Sequence, residues 1–546
     1  MRTNQWHSPA TVWGTLAILA SLAAPVTAQD WARLRTGAEK TIFFRAAVPL
    51  QSFREITFLE SLKKLGAFHI NNYEASSTQK VGGGITKNLA PGLTAEEIAV
   101  VKNASRGRRM AVYSIPAIGG EEPAVRALFE FAKDISAETI VSTAAPEALP
   151  MIDKLAAEFH VKVALLHADR KLLAGLGENI GACAGPGDWL LPGDRLMVVR
   201  LSGLADWKEL FLAIYHQKVK PAVYTFEPST ATDPGADLAA RLDAYETALT
   251  PVMIEYVNEL GRTTAIRTLD AQTRLTPEEK ADARRKMDAA MPAQAQAKPG
   301  KPRKLLVFNL QVGYPGHPSI PYANYVLEHF GPKTGAWEAT FSNDLANFQY
   351  DRLRQYDAVF LNNTVGLLFP DPDVRASILR FLKEGGGLAG YHASTHASID
   401  WPEFTEIIGA SSGDHREATE KVTVKLDDPT SPLNAAFRGR EFLSVDEHFR
   451  WTNFSRQRVH VLLSIDVPKT DLNQGRDCSS CTRADNDYAI SWVRRYGKGR
   501  VFYTSLGHAP TAFMEPNILG HILAGIQFAL GDLDTDTTPG NQPAPQ

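Results

Sequence analysis

The chain has 546 residues, with 58 Lys and Arg against 61 Asp and Glu, 3 cysteines and 44% hydrophobic residues. That length excludes a single small module and fits about two to four domains. A net charge of −3 excludes the basic excess of a general nucleic-acid binder, and 3 cysteines are too few for a disulfide scaffold or a cysteine-built zinc array.

The N-terminus reads as a secretory address. Arg2 precedes an apolar run from Val12 to Val26, and Val26-Thr27-Ala28 places small residues before an expected cleavage after Ala28. Residues 1–28 are therefore expected to be a signal peptide and the product to be periplasmic or secreted. No later segment has a comparable run, so no membrane span is expected after cleavage.

Residues 30–275 alternate β-rich runs with amphipathic helices. Expected strands are Phe43–Val48, Ala67–Tyr73, Arg109–Pro116, Thr139–Thr143, Lys162–His167, Ile180–Ala184, Arg195–Leu201 and Pro221–Phe226. Between them, Phe58, Leu59, Leu62 and Leu65 mark one helical stripe, and Leu149, Ile152, Leu155, Ala156 and Phe159 another. Eight strands alternating with helices predict a parallel (β/α)8 barrel. Residues 276–303 read as a charged helix and a solvated Pro/Ala/Gln/Lys linker.

Residues 304–532 open with an apolar strand, Lys304–Asn309, then the loop G-Y-P-G-H-P-S-I-P and a helix from about Tyr322. Strands follow at Glu338–Phe341, Ala358–Asn362, Leu388–Tyr391, Val422–Lys425, Val459–Ile465, Ala489–Val493 and Val501–Thr504. The helix Val374–Lys383 ends at Gly385-Gly386-Gly387, and Ile518 to Leu530 forms a closing helix. The pattern is an open, mainly parallel α/β sheet, which places its site at strand carboxyl ends. Residues 533–546 read as a polar, frayed tail.

In the first block, L-K-K-L-G-A-F-H-I-N-N-Y-E, L-T-A-E-E-I-A-V-V-K, A-L-F-E-F-A-K-D-I-S-A-E-T-I-V-S and M-I-D-K-L-A-A-E-F occur in order. Together they resemble the xylose-isomerase-like barrels of the sugar phosphate isomerase/epimerase superfamily. That resemblance implies a divalent metal held by two Glu, an Asp and a His at strand carboxyl ends. The fourth strand ends instead in Ser142-Thr143-Ala144, the sixth in Gly185 or Pro186, and the seventh carries Arg200 and Ser202. Glu227 alone sits where a ligand is expected, with His167 and Asp169 nearby and Asp188 as a displaced alternative. The barrel is read as degenerate, with Glu227 and His167 as sugar-binding candidates.

In the second block, E-G-G-G-L-A-G-Y-H-A-S-T, I-D-W-P-E-F-T-E-I-I-G-A, V-D-E-H-F-R-W, A-I-S-W-V-R-R-Y-G-K-G-R-V-F-Y-T-S-L-G-H and A-G-I-Q-F-A-L-G resemble the ThuA-like (trehalose utilisation) family. The resemblance implies a class I glutamine amidotransferase-like fold. The strand-to-helix elbow that carries a cysteine nucleophile in amidotransferases reads G-Y-H-A-S here, with His392 in place of a thiol. Glutamine hydrolysis is therefore not expected.

Imidazole and carboxylate chemistry remains. The catalytic candidates are His392, Glu447, Asp446, His508 and His415. Glu447 is expected to face the cleft and Asp446 to orient a loop or histidine, since neighbours on a strand face opposite sides. His317, Ser319, Thr395 and Trp401 are substrate-binding candidates. Zinc or another divalent ion on His392, His415 and His508 is the alternative use of the same set, and no short metal motif accompanies it. Cys478 and Cys481 are expected to form a loop disulfide, and Cys183 to be a buried thiol.

These expectations describe an exported carbohydrate-processing protein acting on glycosides or oxidised 3-keto sugars, with a small-molecule carbohydrate as its partner. Two other readings stay open: a non-catalytic sugar-binding or scaffolding protein, and a metal-dependent isomerase or epimerase in the barrel.

Overall fold

The computed structural model describes residues 37–53, 56–185, 191, 194–411, 413–451 and 453–540. The expected signal peptide, Pro186, Asp188 and the last six residues lie outside the described residues.

The first unit is a closed, all-parallel eight-stranded barrel. Its strands are β1 Ala46–Pro49, β2 Asn72–Ser76, β3 Arg109–Ile118, β4 Thr139–Ala144, β5 Lys162–Leu166, β6 Ile180–Ala184, β7 Leu196–Leu201 and β8 Val223–Phe226. Each pairs with its sequence neighbour, and β8 closes on β1 through Ala46↔Tyr224. The outer helices follow from local chemistry. In Phe58–Leu65, Thr57 and Glu60 form a reciprocal capping box, and Phe58, Leu62 and Leu65 turn one buried stripe to the barrel. The second strand lies later than expected because Gly66–Phe68 is a 3-10 turn and His69 takes φ 48°. A short hairpin, Lys80–Gly82 with Ile85–Asn88, is an addition that the periodicity did not indicate.

The long helix α1, Pro234–Thr263, runs from the barrel to the second unit. The following helix α2, Pro277–Ala290, is the expected charged helix, but it and the chain after it also pack on the second unit. Ala283, Met287, Ala290 and Met291 are buried in the second core, and Gln296 N donates to Gln527 Oε1 at 2.9 Å.

The second unit is a nine-stranded open sheet. Its strands are β9 Lys304–Phe308, β10 Glu338–Ser342, β11 Ala358–Leu361, β12 Gly387–Tyr391, β13 Glu420–Leu426, β14 Phe442–Asp446, β15 His460–Ile465, β16 Ala489–Tyr496 and β17 Gly499–Thr504. The order is β10-β9-β11-β12-β17-β16-β15-β13-β14, parallel as far as β17 and antiparallel beyond it. The helices α3 Ile320–Thr334, α4 Pro372–Glu384 and α6 Pro516–Leu530 cover it, with α5, Pro402–Ile408, between them in sequence. Strand β12 begins with glycine because α6 crosses closely: a Cβ at Gly387 would stand 2.0 Å from the Ala529 carbonyl. The expected tail is held as far as residue 540. Asp532 pairs with Arg303, the Thr538 carbonyl meets His460 Nδ1 at 3.0 Å, and Gly540 N donates to the Arg456 carbonyl at 2.8 Å.

Candidate functional site

Five chain segments converge beside the carboxyl ends of the parallel strands. After β12 the backbone turns at His392 with φ 44°, a left-handed conformation that a non-glycine residue holds only when its surroundings impose it. They do so here. Ala393 N donates to Asn363 Oδ1 at 3.0 Å, and the Tyr503 hydroxyl donates to the His392 carbonyl at 2.6 Å. His392 Nδ1 lies 3.2 Å from the Ser505 carbonyl, which places its proton on Nδ1 and turns the Nε2 lone pair into the site. Phe449 stacks on the ring at 4.6 Å.

His317 arrives on the loop between β9 and α3. Its ring centroid is 5.0 Å from that of His392 and 5.4 Å from that of His508. His508 lies beyond β17, in a loop held by Asp446. That carboxylate accepts from Gly507 N at 2.8 Å, Ala509 N at 2.9 Å and Glu447 N at 2.9 Å. Glu447, next along the chain, reaches the imidazoles. Its carboxylate is 3.4 Å from His392 Nε2, 3.4 Å from His415 Nδ1 and 3.7 Å from His508 Nε2.

Burial, reinforced by His392 and His508, pushes His317 down to about 2. Burial also lowers His508 and His415. Burial by itself would raise Glu447, but the surrounding imidazoles, His392 first and then His508 and His415, outweigh it and bring Glu447 to about 2. At neutral pH the site therefore holds an anionic Glu447 facing a neutral His317. Its open side is marked by the His415 and His508 side chains, 33% and 20% exposed, with Tyr314 near His317.

The residues fit a divalent cation. His317 Nδ1, His392 Nε2 and His508 Nδ1 are buried without hydrogen-bond partners, and a ligand atom from each histidine lies within 4.8 Å of the others. The grouping differs from the sequence expectation: His317 joins His392 and His508, while His415 stands across Glu447. His396, which sequence reasoning passed over, bonds the Gly413 carbonyl through Nε2 at 3.1 Å and supports the segment leading to His415.

Several candidates lie away from this centre. Ser319 is buried beneath the elbow, 3.1 Å from Asn363 Nδ2, and Thr395 is buried against Trp451 Nε1 at 3.4 Å, so neither presents a hydroxyl to a ligand. Trp401 is buried against Phe404 and Phe369 with Arg375 over its ring, leaving no face for a sugar. Glu227 and His167 are exposed residues of the barrel, outside this cluster.

Inside the barrel, Glu74 on β2 is buried and bonded to Ser114 Oγ at 2.5 Å, Thr225 Oγ1 at 2.6 Å and Arg200 Nη2 at 2.9 Å. The Arg200 guanidinium brings its own positive charge to the only carboxylate in that network, so these residues do not fit the metal that the barrel's resemblance implied. Sequence reasoning missed Glu74 because nothing in N-Y-E-A-S distinguishes it before barrel closure brings Arg200 to it.

Cys478 and Cys481 form a disulfide in a loop wrapped around residues 414–416. Ser480 Oγ donates to Asp414 Oδ2 at 2.5 Å, and Arg476 reaches both Asp414 and the His415 carbonyl. Cys183 is buried and unpaired.

Residues 304–529 match the ThuA family model, described as trehalose utilisation. No curated protein matches the chain. A ThuA-like protein from Bacteroides uniformis is similar at 22% identity, covering 42% of this chain and 91% of that one, with a TM-score of 0.35. One from Parabacteroides merdae is similar at 19% identity, covering 44% and 96%, with a TM-score of 0.33. A sugar phosphate isomerase/epimerase from Parabacteroides distasonis is similar at 8% identity, covering 37% and 95%, with a TM-score of 0.29. Among the described residues no helix is long and apolar enough to cross a membrane.

Proposed function

We propose that this chain, whose residues 304–529 form a ThuA domain, is an exported carbohydrate-processing enzyme whose chemistry resides in the histidine–Glu447 cluster. The observation that carries the reading is the convergence of His317, His392 and His508 on one side of Glu447, with the partly exposed His415 on the other. The family's description as trehalose utilisation supports a sugar substrate. The substrates that suit the site are glycosides and their oxidised 3-keto forms.

A divalent cation such as zinc on His317, His392 and His508 would supply Lewis-acid polarisation of a sugar oxygen. His392 is fully buried and fixed by Ser505, which suits an anchoring role better than proton shuttling. Proton transfer falls to His415. Its imidazole takes the proton from the carbon beside the keto group, the released electron pair expels the glycosidic oxygen from the next carbon, and the imidazolium returns that proton to the departing oxygen. Glu447 stabilises the imidazolium that forms, and Tyr314, 43% exposed, offers an aromatic face at the entrance.

The test is turnover by purified mature protein on glycosides and their 3-keto forms, with and without chelator. His415→Ala and Glu447→Gln should each lower kcat by about 10²-fold or more. Absence of turnover by metal-replete protein that still binds sugar would favour the non-catalytic reading. For export, the residues 1–28 pattern supports cleavage after Ala28, and N-terminal sequencing of the exported protein should begin at Gln29. The Glu74–Arg200 pair favours a barrel that serves as scaffold or sugar-binding module over one that isomerises sugars.

A further inference from the structure

We propose that the barrel unit completes the histidine site, with Arg267 as the positioning residue that holds His317 in place. The inference rests on the reading of His317 as a member of that site.

The loop between β9 and α3 carries Tyr314 and His317, and it is confined by chain that belongs to the barrel side of the molecule. Arg267 follows α1 directly. Its Nη2 donates to the Pro315 carbonyl, and its guanidinium lies flat against Gly316, where a Cβ would stand 2.4 Å from Nη1. Gly316 takes φ 87°, so neither the backbone conformation nor the space beside it admits a larger residue immediately before His317. Three residues earlier, Gly313 takes φ 71° and faces Thr41 of the barrel's first helical segment, with 2.8 Å between a would-be Cβ and Thr41 Cγ2.

Arg267 is itself anchored from the second unit. Asn324 Nδ2, on α3, donates to the Arg267 carbonyl at 2.8 Å. Asn343 Nδ2 donates to the Thr264 carbonyl at 2.9 Å, and α1 approaches so closely that a Cβ at Gly261 would meet the Asn343 carbonyl at 2.5 Å. The end of α1 is thus fixed to the sheet, and the guanidinium projects from that fixed point onto the loop. A charge-assisted hydrogen bond from a planar, preorganised donor suits this role, since it constrains direction as well as distance. The barrel would then act on the site through shape, without supplying a reacting group.

The experiment uses full-length mature protein as wild type, Arg267→Ala and Arg267→Lys. The readout is the rate at which diethyl pyrocarbonate modifies His317, followed by mass spectrometry, with buried His521 of the same unit as internal reference. Arg267→Ala should raise His317 modification by about tenfold while His521 is unchanged, and Arg267→Lys should restore part of the protection. Cobalt(II) affinity, read by its visible spectrum, should fall by about tenfold in the same variant. Unchanged His317 modification in Arg267→Ala overturns the inference, as does a parallel rise at His521, which would signal general loosening. Failure of the wild-type protein to bind cobalt would count against the metal reading alone, and the modification rates would still decide the role of Arg267.

Discussion

Beneath the His392 turn, side chains rather than helix or sheet satisfy the buried polar groups. The Tyr391 hydroxyl donates to Asn362 Oδ1 at 2.7 Å, and Asn362 Nδ2 donates to Asn309 Oδ1 at 2.8 Å and Asn324 Oδ1 at 2.7 Å. Asn363, itself at φ 55°, accepts from Ala393 N and donates to Ser319. Such a network fixes one geometry when complete and destabilises when a member is removed. Tyr391→Phe should therefore cost about 1–3 kcal/mol in urea unfolding, because a buried acceptor loses its donor. A loss well under that range would mean that the hydroxyl does not hold the elbow. At this scale the sequence was legible where a motif isolates a residue, as G-Y-H-A-S isolates His392. It was poorly legible where function depends on distant partners: Glu74 and Arg200 are 126 residues apart. Sequence places His317 among the substrate-binding candidates and not in the metal set, because a histidine in a Pro-rich loop carries no periodicity; only the convergence of strand ends brings it to His392.

Secondary elements were recovered from sequence wherever burial is two-sided or strongly periodic. The barrel strand Ile180–Ala184 lies where the sequence places it, and most other strands differ by a few residues at their ends. Strand β14 escaped notice for a physical reason. It is an edge strand, and F-L-S-V-D turns Leu443 and Val445 outward while Ser444 and Asp446 are buried, the reverse of the usual pattern. That reversal positions the site, since it sends Asp446 to the His508 loop. The disulfide loop is a second element whose role shows only in three dimensions. It clamps Asp414 through Ser480 and Arg476, and hydrogen bonds from Ser480 and its neighbours hold Asp414 well below the usual carboxylate range, at about 2. Replacing both cysteines with serine should speed amide exchange across residues 413–416 and 471–483 and leave the barrel unaffected. Equal exchange in both proteins would show that the clamp does not need the disulfide.

Over the whole molecule one core joins the two units, in which α1 residues such as Val257 and Leu249 cluster with Leu306 of β9 and with Leu345 and Phe348 of the 3-10 helix after β10, while a second core covers the other face of the sheet. Acid should therefore unfold them together, and buried histidines set where that begins. His521 lies at the centre of α6 with no exposed surface; its Nδ1 meets the Leu433 carbonyl at 2.9 Å and its Nε2 meets Ser491 Oγ at 2.8 Å. The Leu433 acceptor requires the proton on Nδ1, and the single Ser491 hydroxyl proton is shared between the Tyr503 carbonyl, 2.8 Å away, and Nε2. Burial pushes His521 down to about 4, and burial together with Arg450 pushes His448 down to about 3. Both are neutral in the folded protein, whereas in the unfolded chain they protonate near about 6.5. The unfolded state thus binds protons first as pH falls, and stability is lost from about pH 6.5 down to the folded values, with no further loss from these groups below them. For His521 this amounts to about 2 kcal/mol at pH 5. Carboxylates held low, such as Glu447 at about 2, contribute their loss only below about pH 4.5, so above that pH the slope belongs to the histidines. Equilibrium unfolding between pH 7 and about pH 5 should show a single cooperative transition whose free energy falls with acid, and His521→Gln should flatten that slope. An unaltered slope in the variant would remove His521 from the account and leave His448 as the first buried group to test.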